Sequence, residues 1–163
     1  MELQSEITPV RTDDHPRVVE VWEASVRATH HFLAPADVAF FQPLIPGALA
    51  GVAELVCVRD AAGVVVGFLG VEGDKVEMLF IHPDLRGRGI GRRLLRHAVD
   101  ALGATRVDVN EQNEQAVGFY RKMGFVVVGR SELDGMGKPF PLLHLELRGA
   151  GSHAEDPAPD GRG

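Results

Sequence analysis

The six residues Arg86-Gly87-Arg88-Gly89-Ile90-Gly91 carry the clearest chemical signal in the chain. Glycine lets a backbone approach a ligand closely and adopt angles that other residues resist. A helix starting here would aim its unpaired N–H groups, and the positive end of its dipole, at one spot. Arg86, Arg88, Arg92 and Arg93 add cationic side chains around it. Together these groups match a phosphate-rich ligand. Spacing narrows the choice. A P-loop needs Lys-Ser or Lys-Thr after its glycines, and none follows. A dinucleotide fingerprint needs G-x-G-x-x-G, whereas Gly87, Gly89 and Gly91 are spaced G-x-G-x-G and Arg92 stands in the third position. Asp108 does lie roughly 20 residues on, where a ribose-binding acid would sit. A tight strand–helix turn without ligand is the plainer alternative.

Elements must deliver these residues. Residues 55–58, 64–71 and 75–81 read as strands joined by turns at 60–63 and 73–74, an antiparallel meander. After the loop, Ile90, Leu94, Leu95, Ala98, Ala101 and Leu102 repeat at helical spacing, and Gly103 ends the helix. Residues 106–109 form a short strand that can pair parallel with the third meander strand. A polar loop (110–113), a helix (114–123) capped by Gly124, a strand (125–128), a loop (129–141) and a last strand (142–147) follow. Upstream, residues 1–10 read as a first strand or lead-in. Thr12-Asp13-Asp14 offers cap oxygens, and Val18, Val21, Trp22, Ser25 and Val26 mark a helix. Residues 30–46 are apolar but irregular, a loop or short helix. From Arg148 the chain is Gly, Ala, Pro and charge, which predicts a disordered tail over 148–163 after a single domain over 1–147.

Bulk properties bound the function. The 163 residues suffice for one domain with its own core. A hydrophobic content of 45% with 25% charged residues is ordinary for a soluble globular protein. Net charge of −6 gives no bulk case for a nucleic-acid partner. Cys57, the one cysteine, cannot form an internal disulfide and reads as a structural strand residue. Glu2 and Glu6, with no long apolar run, predict neither signal peptide nor membrane span, hence a cytoplasmic protein. No metal site is expected.

The loop belongs to a longer series. Met78-Leu79-Phe80-Ile81-His82-Pro83, Arg86-x-x-Gly89-x-Gly91, Asn110…Asn113 and Phe119-Tyr120-x-x-x-Gly124-Phe125 together resemble the GNAT family of acetyl-CoA-dependent N-acetyltransferases. The match covers about 54–147, and residues 1–50 share only a general pattern. The resemblance implies an α/β (α+β) fold with a central mixed, mostly antiparallel twisted sheet flanked by helices. That sheet would splay between its fourth and fifth strands, here 75–81 and 106–109, with the cofactor in the cleft. It implies acetyl-CoA as co-substrate and a primary amine of a small molecule or peptide as acceptor. Many relatives are dimers, so a homodimer is an expectation. A bulge on the fourth strand in relatives frees backbone groups for the pantetheine arm, which suggests Leu79, Phe80 and Ile81. Arg86, Gly87, Arg88, Gly89, Ile90 and Gly91, with Arg92, would hold the pyrophosphate. Tyr120 matches a tyrosine near the thioester sulfur, where a phenol can protonate the departing thiolate; the plainer alternative is a helix-face aromatic. Asn110 and Asn113 would lie at the cleft mouth, and Asn113 either bonds the cofactor arm or caps the following helix.

The acceptor amine must lose a proton, because an alkylammonium titrates near pH 10. Glu77 stands where some relatives carry a catalytic glutamate. Alternation along 75–81 puts it on the face of Leu79 and Ile81, though a bulge would rotate it outward. His30, His31 and His144 are alternative bases, and His82 beside Pro83 reads as structural. His30, His31 and Phe32 fall in the segment that would face the acceptor. Asp134, with Glu132, stands in the loop before the last strand and could attract a cationic amine. For these the plain alternatives are a surface pair and an exposed hairpin loop. The string 134–139 resembles a stretch found in a subset of bacterial GNAT proteins. Competing functions are a non-catalytic acetyl-CoA sensor, a nicotinamide enzyme and an acetylase of aminoacyl-tRNA. Tyr120 weighs against the first, the glycine register against the second and the negative charge against the third.

Overall fold

The computed structural model describes residues 2–148. The chain forms two compact units, the first ending at Ala104 and the second beginning at Thr105. Of the expected tail, residues 149–163 lie outside the described residues. Arg148 is tied to the fold, since its N–H donates to the Gly124 carbonyl at 2.9 Å.

In the first unit, strands β1 (Thr8–Pro9), β2 (Glu54–Arg59), β3 (Val65–Glu72) and β4 (Lys75–Ile81) pair antiparallel in chain order. Every residue of β3 except Glu72 is buried. A strand apolar on both sides needs cover on both. Helix α1 (His15–Thr29) covers one face, burying Val18, Val21, Trp22, Ser25 and Val26, and its apolar stripe shares a core with Val65 and Phe68. Cys57 belongs to the same core, where burial pushes its thiol up. Helix α4 (Ile90–Leu102) buries Ile90, Leu94, Leu95 and Ala98. Gly67 on β3 admits it: a Cβ there would meet Ile90 Cγ2 at 2.9 Å and Ile81 Cδ1 at 3.0 Å. The first helical residue therefore rests against the strand, which fixes the height of the glycine loop.

Residues 30–46 are more regular than expected. They contain α2 (Pro35–Phe41), a 3-10 turn (Gln42–Leu44) and the start of α3 (Ile45–Gly51). Their prolines suggested irregular chain, but each sits in a first turn, where a missing N–H costs nothing. Val38 and Leu49 join the α1 core. Ahead of α1, Arg59 Nη1 and Nη2 donate to Asp14 Oδ1 and Oδ2 at 3.0 and 2.8 Å. This fork pins the helix start to β2, and its hydrogen bonds hold the Asp14 carboxyl down at about 2.

In the second unit, β7 (Leu142–Leu147) pairs antiparallel with both β5 (Arg106–Asn110) and β6 (Phe125–Ser131). Helix α5 (Glu114–Lys122) sets Tyr120 edge-on to Phe125. By alternation, Phe125, Leu145, Val107 and Val109 share that covered face. Strand β6 runs past its expected end at 128 to Ser131. A register shift between Val127 and Gly129 skips Val128, which is 56% exposed. The bulge lets pairing resume where a loop was expected.

Candidate active site

The glycine loop is built from both ends. At the close of β4, the His82 N–H donates to the Val66 carbonyl at 2.8 Å. A 3-10 turn (Pro83–Leu85) follows, capped by His82 Nδ1 accepting from the Asp84 N–H at 3.2 Å, so His82 serves the turn. Leu85 is buried, whereas Arg86, Gly87, Arg88 and Gly89 are exposed. Gly87 and Gly89 both have φ of +80°. No atom lies within 4 Å of a Cβ built at either, so backbone conformation demands glycine there, not space. Gly89 precedes α4 with no side-chain cap, and the Arg93 N–H bonds its carbonyl at 3.0 Å. The first-turn N–H groups of Ile90, Gly91 and Arg92 are thus set at the dipole's positive end, with the Arg92 side chain exposed. Gly91 has no positive φ. Arg93 does not join the cationic ring: its Nη2 donates to the Gln4 and Ser5 carbonyls at 3.3 and 2.9 Å.

Strand β4 decides between the two placements open to Glu77. Pairing with β3 shifts register so that Val76 faces Val71 and Met78 faces Gly70, leaving Glu77 without an opposite residue. Alternation does not carry through such a bulge, and Glu77 is exposed. The bulge therefore falls ahead of Leu79, Phe80 and Ile81, which pair regularly with Leu69, Phe68 and Gly67. Phe80 packs on the α1 core, its ring 5.6 Å from Phe68, and Ile81 lies toward Ile90.

At the end of α1, His30 is half-buried, its ring 5.2 Å from Phe32. Its Nδ1 lies 2.8 Å from Thr29 Oγ1. Burial, aided by the neighbouring His31, lowers its pKa to about 4. His31 is exposed.

In the second unit, Asn110 ends β5 and its carbonyl accepts the Asn113 N–H at 3.0 Å. Asn113 Oδ1 caps α5 by accepting the Ala116 N–H at 3.2 Å. Its NH2 group is what it can still offer a ligand. Tyr120 is 6% exposed, between the rings of Phe119 and Phe125 at 5.1 and 5.7 Å. Burial raises its phenol pKa, so the group is kept protonated. Asp134 organises its own loop: Oδ1 accepts the N–H groups of Met136 and Lys138 at 2.9 and 2.8 Å. One carboxylate oxygen is thereby engaged in turn formation.

The strand registers also assemble an array not anticipated as a unit. His144 on β7 stands opposite Asp108 on β5 and Gly129 on β6. Its Nδ1 lies 2.7 Å from Asp108 Oδ1, and its Nε2 lies 2.6 Å from Ser131 Oγ. No sequence spacing links positions 108, 131 and 144. Only the register of three strands does. Among the described residues no group of three or more His, Cys, Asp or Glu could hold a metal ion, and no helix is long and apolar enough to cross a membrane.

Known proteins place this arrangement. Residues 52–127 match the family model described as an acetyltransferase (GNAT) domain. The chain is 45% identical over 135 residues to the peptidyl-lysine N-acetyltransferase YjaB of Salmonella typhimurium, covering 83% of this chain and 92% of that one. Identity to its Escherichia coli counterpart is 44%, over 86% and 95% of the two chains. The solution structure of apo YjaB from Escherichia coli superposes with a TM-score of 0.81 at 40% identity, covering 91% of this chain and 99% of that one. An α/β fold, a glycine loop opening a helix and likeness over most of both chains at this identity agree: the chain belongs to the GNAT family of acetyl-CoA-dependent N-acetyltransferases.

Proposed function

We propose that this enzyme acetylates the side-chain amine of lysine in a peptide or protein, by direct attack on acetyl-CoA, with Tyr120 protonating the departing thiolate. The observation that carries the mechanism is the place of the Tyr120 phenol on α5, 6% exposed between the rings of Phe119 and Phe125. A phenol is neutral at working pH and can donate its proton to a departing thiolate. The lysine acceptor is supported by the likeness to the two peptidyl-lysine N-acetyltransferases.

In this reading the N–H groups around Gly87, Gly89, Ile90 and Gly91 hold the pyrophosphate, with Arg86, Arg88 and Arg92 supplying charge. Backbone groups of Leu79, Phe80 and Ile81 hold the pantetheine arm. Once the nitrogen is neutral, it attacks the carbonyl carbon, the C–N bond forms and the C–S bond breaks.

Tyr120→Phe tests the acid. Phenylalanine keeps the ring packing on Phe119 and Phe125 and removes only the proton. The variant binds acetyl-CoA as the wild type does but loses about 10²-fold in kcat. An unchanged kcat refutes the assignment. Free-thiol release over a panel of amines tests the acceptor, and lysine peptides should lead it.

A further inference from the structure

We infer that Ser131, His144 and Asp108 form a second catalytic site, at which Ser131 Oγ takes the acyl group of small esters and passes it to water. The site lies wholly within the second unit. Helix α5 carries Tyr120 on one face of the sheet of β5, β7 and β6. By alternation the three side chains stand on the other face, and the transfer mechanism above makes no use of them.

Donor and acceptor roles follow from the partners. An ionised Asp108 can only accept, so His144 Nδ1 carries the hydrogen and donates to Oδ1 at 2.7 Å. In the neutral ring Nε2 then has the lone pair and accepts from the Ser131 O–H at 2.6 Å. A hydroxyl, a base bonded to it and a carboxylate orienting that base are the parts of a serine acyl-transfer site, which is recognised by geometry and not by chain order. The ring reaches Ser131 because Gly129 stands opposite His144, where a Cβ would lie 3.4 Å from the imidazole Cδ2. His144 and Asp108 side chains are 35% and 25% exposed. Ser131 is half-buried at the end of β6, the last strand of the sheet. An open face and a strand edge suit a small acyl group.

The strand edge also supplies donors for the oxyanion. The Glu111 N–H donates to the Pro141 carbonyl at 2.9 Å, and the Leu147 N–H to the Thr105 carbonyl at 2.8 Å. Between these bonds alternation turns the backbone groups of Leu143 and Leu145 toward β5, and those of Leu142 and His144 toward β6. Ser131 and Gly129, opposite Leu142 and His144, therefore direct their carbonyls to β7. Across the same trans peptide planes the N–H groups of Glu132 and Arg130 point outward. Glu132 directly follows the nucleophile, a position whose N–H holds the oxyanion in other serine hydrolases.

The atoms balance. Ser131 Oγ bonds to the carbonyl carbon as its proton passes to His144 Nε2. The carbon–oxygen bond to the leaving group breaks, and Nε2 returns the proton to the departing oxygen. Water then attacks the acyl carbon and gives a proton to Nε2. The Ser131 ester bond breaks, the acid leaves, and Nε2 reprotonates Ser131 Oγ.

Two assays on the full chain test the site. Diisopropyl fluorophosphate should phosphorylate Ser131 with loss of fluoride, as peptide mass spectrometry reads directly, and should leave Ser131 unmodified in His144→Gln. Release of p-nitrophenol from p-nitrophenyl acetate should fall at least about tenfold in Ser131→Ala and in His144→Gln. Asp108 acts through the imidazole as a positioning residue: Asp108→Asn should lose about tenfold in kcat at unchanged KM, and Asp108→Glu should lose less. Tyr120→Phe, which loses acetyl transfer, should hydrolyse the ester within about threefold of wild type. Mapping the adduct on the unaltered chain keeps the test independent of how the variants fold. Wild type without an adduct on Ser131 overturns the inference. So does ester hydrolysis that survives Ser131→Ala, or that falls in Tyr120→Phe as acetyl transfer does.

Discussion

Replacing Gly89 by alanine isolates what the loop conformation contributes. The residue has φ of +80°, and no atom lies within 4 Å of a Cβ built there. Steric contact is thus absent, and the whole cost is backbone strain. An L-residue in the left-handed region costs about 1–2 kcal/mol. Alanine regains about 0.4–1 kcal/mol by restricting the unfolded chain, leaving a net loss of about 1 kcal/mol. For a chain of this size that is about 2–4 °C in Tm by scanning calorimetry. The loop has one alternative, which is to leave the left-handed region and turn its N–H groups away. Each charge-assisted hydrogen bond to phosphate lost is worth about 1.5–3 kcal/mol, a loss of at least about tenfold in acetyl-CoA affinity by titration calorimetry. One or both changes must appear. A variant with wild-type Tm and wild-type affinity would refute both the strain and the phosphate role of the loop.

Four other perturbations probe the frame. Gly67→Ala has no positive φ to strain, but its Cβ would fall 2.9 Å from Ile90 Cγ2; the start of α4 should shift, raising KM for acetyl-CoA and costing about 1–3 kcal/mol in urea unfolding. Asp14→Asn should cost about 2 kcal/mol at pH 7, since a carboxyl held at about 2 rather than 3.8 stabilises the fold above pH 4. That difference should vanish as pH falls from about 4 to about 2. His30, lowered from 6.5 to about 4, has the opposite preference: the unfolded chain takes up the proton first, so stability should drop as pH falls from about 6.5 to about 4. His30→Gln should flatten that slope, worth about 3 kcal/mol at most. Tyr120→Phe should separate binding from turnover, as calorimetry and kcat together would show.

Periodic burial was legible in the sequence, and pairing geometry was not. The α1 stripe from Val18 to Val26 and the run of β3 follow from spacing and apolarity, and both are buried as expected. The prolines of 35–46 misled because Pro reads as a break, yet in a first turn it starts a helix. Alternation left Glu77 open between two faces, and only the register shift beside it decides for the outward one; a second shift at Val128 carries β6 past the end that its apolar run suggested. The loop 86–91 could be read because its chemistry is local. The array of Asp108, Ser131 and His144 could not, because it depends on which residues face each other across three strands. Arg93 shows the same limit, since its neighbours in sequence suggest phosphate while its partners in space are two carbonyls.

The most direct test of acetyl transfer to lysine is mass spectrometry of a lysine peptide incubated with acetyl-CoA and this enzyme, with free thiol followed in the same mixture. Acetyl on the lysine side chain, formed one for one with coenzyme A thiol, is the predicted result. Tight acetyl-CoA binding with neither acetyl-lysine nor lysine-dependent thiol would contradict it.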